Sequence, residues 1–240
     1  MSRRRFACLL VLLGVVATGR SWAAGYGTPV PAEAASLEGV WQIDLQASGL
    51  PGDGNSPPQL TARGEKQRQQ HRRARARGDL SFDLTAHCSN PGVPRMMSLP
   101  TPIQILARAD DVTILLEWNH LQRQIHVDGR SYPIPYPMAA GVSTGHWQGG
   151  TLVVTTRGRN AKTLLDDSIP NREALTVEEV FSVSQEGKRL DYRVTSTDPE
   201  VLAQPWERHF IFRKKLEVPW REDVCLDRVE RGEKAVPRGF

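Results

Sequence analysis

The sequence predicts a mainly β domain: an antiparallel meander barrel of about eight to nine strands with one peripheral helix. Three observations predict it. Short segments alternate apolar and polar residues with period two, turn dipeptides separate them at barrel or sandwich spacing, and one stretch alone has a helical composition.

Ahead of the domain, Arg3, Arg4 and Arg5 precede an apolar stretch over 6–17, and Ser21-Trp22-Ala23 offers small residues for cleavage. This pattern predicts an export signal over 1–23, removed after Ala23, and a periplasmic or secreted mature protein. The apolar run falls short of the roughly 20 residues a bilayer span needs, so no membrane span is expected in the mature chain. Ser2-Arg3-Arg4-Arg5-Phe6 also resembles a twin-arginine signal, which leaves the export route open. A small, Pro/Ala-rich flexible leader follows over 24–36, and 37–240 reads as a single domain.

The 31 Lys+Arg include Arg3, Arg4, Arg5 and Arg20, whereas all 27 Asp+Glu lie beyond the signal. The mature chain is therefore formally neutral. A nucleic-acid partner is not expected, since the basic balance belongs to the leader.

Leu37-Glu38-Gly39-Val40-Trp41-Gln42-Ile43-Asp44-Leu45 alternates, placing Leu37, Trp41, Ile43 and Leu45 on one face of a first strand. A Gly/Pro-rich loop over 49–58 leads to the helix at 61–77, which carries seven Lys/Arg and no aromatic residue. Strands follow at 103–108, 112–118 and 121–127, the last two joined by Asn119-His120. Pro133, Pro135 and Pro137 forbid regular pairing after Asp128-Gly129. Strands resume at 146–148 and 151–156 around Gly149-Gly150, then at 175–183, 190–197 and 206–213.

Cys88 and Cys225 are the cysteines of the mature chain, and an oxidising compartment predicts a disulfide between them.

Gly39-Val40-Trp41 resembles the Gly-x-Trp signature of lipocalins and related small barrels, and Arg208 resembles the basic residue that packs across that tryptophan. The blocks Asn90-Pro91-Gly92-Val93-Pro94-Arg95-Met96, Asp128-Gly129-Arg130, Gly145-His146-Trp147-Gln148-Gly149-Gly150-Thr151-Leu152-Val153-Val154, Asp198-Pro199 and Pro205-Trp206 are similar to blocks of a large family of exported bacterial proteins. That resemblance implies a lipocalin-like barrel and an exported location. It implies no activity.

Charges at inward positions mark the candidate site. Arg123 shares a face with Leu121, Ile125 and Val127, Glu179 with Leu175, Val177, Phe181 and Val183, and Arg208 with Trp206, Phe210 and Phe212. A buried charge must be paired, hydrated or ligand-bound. One reading is structural: an Arg123–Glu179 salt bridge, with Arg208 stacked on Trp41. The other is a pocket of Arg123, Glu179, Tyr192, Trp206, Arg208 and Trp41 that orients a small, mostly apolar ligand by its polar end. No cofactor is expected. An alternative is a cofactor-independent isomerase, lyase or hydrolase with Glu179 as general acid or base beside Arg123. A third is an envelope interaction module with a filled core, working through the basic helix.

Three further patterns carry less. Gly141-Val142-Ser143-Thr144-Gly145 fits a hydrolase nucleophile elbow, but lacks the strand-then-helix context that strains the serine. The histidines His71, His87, His120, His126, His146 and His209 lack the spacings that build a metal site within one element, so no metal is expected. Glu117 and Trp118, with Asp128 and Arg130, form a possible polar cluster at the barrel mouth or pair locally.

Overall fold

The structure, a computed structural model, describes residues 32–48, 55–184, 186–216 and 220–237. The expected export signal and the first part of the leader lie outside these residues. A helical turn, α1 (Ala32–Ala35), precedes β1 (Gly39–Ile43), and Ala34 is already buried in the core.

Helix α2 (Ala62–Ala76) starts where Thr61 caps it, its side chain accepting the Gly64 N–H. Then come β2 (Ile103–Ala107), β3 (Asp111–Leu116), β4 (Gln122–His126), β5 (Val142–Gln148), β6 (Thr151–Arg157), β7 (Thr176–Ser184), β8 (Arg189–Thr197), β9 (Trp206–Lys215) and the short α3 (Cys225–Glu230). Each strand pairs with its neighbour in sequence, and β1 pairs with β9, closing a nine-stranded barrel. Closure leaves no open edge. Tight turns do much of this: Asn119-His120 and Gly149-Gly150 have positive φ at both central positions, the geometry that matches strand twist in a two-residue hairpin.

One pairing departs from the antiparallel expectation. β4 and β5 run parallel through Ile125↔Ser143 and His126↔Thr144. The proline-bearing stretch 127–141 between them cannot form a tight hairpin, and a parallel pair needs a crossover of about a dozen residues or more. The stretch therefore carries the chain back so that β5 begins at the same end as β4.

Alternation puts Trp41, Ile105, Ile114, Ile125, Val154, Phe181, Tyr192 and Phe212 into the interior. Leu45 does not join that face. The strand ends at Ile43, Asp44 Oδ1 accepts the N–H groups of Gln46 and Ala47, and the resulting turn leaves Leu45 exposed.

Cys88 and Cys225 are disulfide-bonded across a sequence separation of 137. The bond ties the C-terminal segment to the barrel end where β3 stops. Trp118 Nε1–H donates to the Ala235 carbonyl and Glu117 accepts the Arg221 N–H. Asp128 instead accepts from its own turn, at Arg130 N and Tyr132 OH. The two halves of the sequence-suggested mouth cluster thus serve separate local roles.

Candidate functional site

Arg123, Arg159 and Arg208 are buried in the interior or at its margin, and their surroundings differ. Arg123 projects inward from β4 and meets Glu179 from β7, each almost wholly buried. Arg123 Nη1 donates to Glu179 Oε1 at 2.8 Å and Nη2 to Oε2 at 2.5 Å. Nε and Nη2 also reach Ser143 Oγ, and Nη2 reaches Thr156 Oγ1. Glu179 accepts further from Tyr192 OH at 2.7 Å and from Thr156 Oγ1 at 3.2 Å.

A carboxylate offers about four acceptor positions. Those of Glu179 are taken by two bonds from Arg123, one from Tyr192 and one from Thr156. Burial works against the Arg123 charge, but the Glu179 carboxylate outweighs it and raises its pKa. Burial, then Glu179, pushes the Tyr192 pKa well above the ordinary phenol value. The phenol therefore stays a donor. Ser143 is bonded within this cluster, lies near the start of β5 with a strand and no helix after it, and is 2 % exposed, so it has none of the geometry of a nucleophile elbow.

Arg208 contrasts with that cluster. It is 7 % exposed, and its Nε and Nη2 have no hydrogen-bond partner. Its guanidinium lies over Trp206 at 4.3 Å and Phe210 at 5.6 Å. Burial lowers its pKa, opposed in part by Tyr192 and Asp166. Among the described residues no carboxylate forms an ion pair with it.

The expected Arg208–Trp41 stack does not form. Trp41 pairs in register with Lys214, whose ammonium sits 5.1 Å from the indole centroid. Arg208 lies six residues earlier on β9, about 20 Å away at the rise of an extended strand. Gly39 makes the Lys214 contact possible: its φ is +131°, and a Cβ there would lie 2.6 Å from Lys214 Cε. The Gly-x-Trp pattern thus serves the lysine.

Arg159 is the residue that sequence reading missed. It follows β6 in a stretch without periodicity, is fully buried, and donates from Nη2 to Thr163 Oγ1. Burial and the nearby Arg123 push its pKa down to about 9, which still leaves it charged at neutral pH. The available signal was glycine: a Cβ at Gly92 would lie 2.2 Å from Arg159 Nη2.

Four cavities stand out, and none is lined by Arg123, Glu179, Tyr192 or Trp41. The largest, about 560 Å³, lies where β9 begins and is lined by Pro57, Pro58, Ser98, Asp166, Trp206, Arg208 and Phe210 among others. It shares Pro58 and Asp166 with a cavity of about 460 Å³ under the arginines Arg68, Arg72 and Arg75 of α2. The structure therefore separates the expected pocket residues: Trp206 and Arg208 border a cavity, whereas Arg123, Glu179, Tyr192 and Trp41 are packed into the core.

His126 stacks on Tyr132 at 3.5 Å between centroids. His209 Nε2 lies 2.9 Å from Asp191, and His71 stacks on Phe82. No helix among the described residues is long and apolar enough to cross a membrane. No protein-family model matches the chain, and no curated protein matches it in sequence. The fold stands on strand order and register.

Proposed function

We propose that this is a periplasmic lipocalin-like protein that binds a small, mostly apolar molecule with one polar end, in the cavity where β9 begins. The observation that carries the reading is the 560 Å³ cavity walled by Trp206, Phe210 and the buried Arg208. That volume is in the range of small-molecule pockets, which are mainly apolar with a few placed polar groups. The closed barrel and the disulfide are compatible with an exported carrier. Membership of the exported bacterial family belongs to the same proposal.

In this reading Trp206 and Arg208 contact the ligand, while Arg123, Glu179, Tyr192 and Trp41 hold the barrel. The enzyme alternative needs a carboxyl group facing a substrate, and the Glu179 positions are already filled. Native mass spectrometry of protein taken from the periplasm tests the proposal. A small adduct that denaturation releases supports it; bare protein that also fails to bind decanol in solution contradicts it.

A further inference from the structure

The unused hydrogen-bond donors of Arg208 are not an arbitrary pair. Nε–H and the Nη2–H beside it point the same way from the guanidinium plane and form the side-on fork that grips two oxygens at once. The same protein shows what that fork takes. On β8, Arg189 Nε donates to Asp191 Oδ2 at 2.9 Å and Nη2 to Oδ1 at 2.7 Å, a side-on bidentate carboxylate. Arg123 turns its end-on pair, Nη1 and Nη2, to Glu179. Of these, Arg208 has its fork unfilled and buried in the wall of a cavity.

A desolvated cation with unmade hydrogen bonds is costly, and the two aromatic faces compensate it only in part. Asp166, in the same wall, has Oδ1 engaged by Ser168 N, Ser168 Oγ and Ile169 N. Its charge favours the Arg208 cation from a distance without filling the fork.

We infer that the polar end of the ligand is a carboxylate, gripped side-on by Arg208 Nε and Nη2 while the apolar body lies along Trp206 and Phe210. This rests on the binding function proposed above and names its ligand class. Nε and Nη2 are themselves buried, so a turn of the guanidinium toward the cavity is part of the inference. A neutral head group of the same size leaves the cation uncompensated and gains little from the site. A lysine at this position keeps the charge but has no fork to offer.

Calorimetric titration of the full mature protein with decanoate and with decanol tests this, alongside Arg208→Met and Arg208→Lys. The wild type is expected to prefer decanoate by about ten- to hundredfold, the value of a charge-assisted hydrogen-bond pair. Arg208→Met abolishes the preference while still binding decanol, and Arg208→Lys keeps a small part of it. Equal affinity for the two probes in the wild type, or a preference that survives Arg208→Met, overturns the carboxylate inference and leaves the binding reading standing. If neither probe binds the wild type, both fall. The wild-type comparison needs no variant, so it holds even if a substitution disturbs folding.

Discussion

Glu179 and Arg208 both pair in register with Val194 on β8, one from β7 and the other from β9. They stand two strands apart on one row of the inner wall, about 10 Å at ordinary strand spacing. The acid is saturated by Arg123, Tyr192 and Thr156, whereas the base keeps two unmade hydrogen bonds. Opposite charges in one row have therefore not paired with each other, and the one left without hydrogen-bond partners at Nε and Nη2 is the one that borders a cavity.

Glu179→Gln is expected to destabilise the protein by about 3 to 5 kcal/mol, because it strands Arg123 as an uncompensated buried charge. Replacing both partners at once, as Arg123→Met with Glu179→Leu, is expected to cost far less than either single change. Urea denaturation of the singles and the double measures this. A single-variant loss below about 1 kcal/mol would show that the pair is not the desolvated bridge described here.

Arg208→Met is expected to behave in the opposite way. It deletes a buried cation that has no carboxylate partner, so stability rises or stays level, by about 1 kcal/mol or more if the full desolvation cost is relieved. A fall in thermal midpoint comparable to that of Glu179→Gln would mean that the guanidinium is structurally required.

Most strands were legible from alternation, and Asn119-His120 and Gly149-Gly150 announce their hairpins, but β5 was legible only over 146–148, its earlier residues from Val142 lacking clean alternation. Arg123 and Glu179 were legible as charges on apolar faces, and their pairing followed from burial. What stayed hidden depends on long-range register. Whether Trp41 meets Arg208 or Lys214 is decided by how β9 slides against β1, and alternation fixes the face of a strand but not its offset. Saturation of Glu179 needs Thr156, a residue of no distinction in its own segment. The parallel β4–β5 pair and the burial of Arg159 likewise come from loops that carry no period.

Reduction, or Cys88→Ser with Cys225→Ser, is expected to cost about 4 to 5 kcal/mol in the chain-entropy account of so long a loop. Denaturant titrations with and without reductant measure it. A midpoint that reductant leaves unchanged, with thiol reaction proving that the bond has opened, would contradict the proposed tie between the C-terminal segment and the barrel.

Acid stability is expected to run through Asp83. Burial favours its neutral form, but Arg95, then the Thr85 N–H and Arg75, outweigh burial and lower its pKa. A carboxyl depressed in the folded state contributes stability that is complete above its unfolded value near 3.8 and is lost as pH falls through the folded value. Thermal midpoints of wild type and Asp83→Asn should therefore keep a steady gap from about pH 6 down to about pH 4 and converge only as pH falls further. A gap that stays undiminished well below about pH 4 would remove Asp83 from the acid response.

The proposed site is tested most directly by arginine side-chain Nε–H resonances of the full chain, titrated with decanoate. The account predicts that the Arg208 signal, assigned by its loss in Arg208→Lys, moves with saturation while that of Arg123 stays in place. Movement of Arg123 with Arg208 unchanged would return the ligand to the barrel centre and contradict the assignment of the cavity end as the binding site.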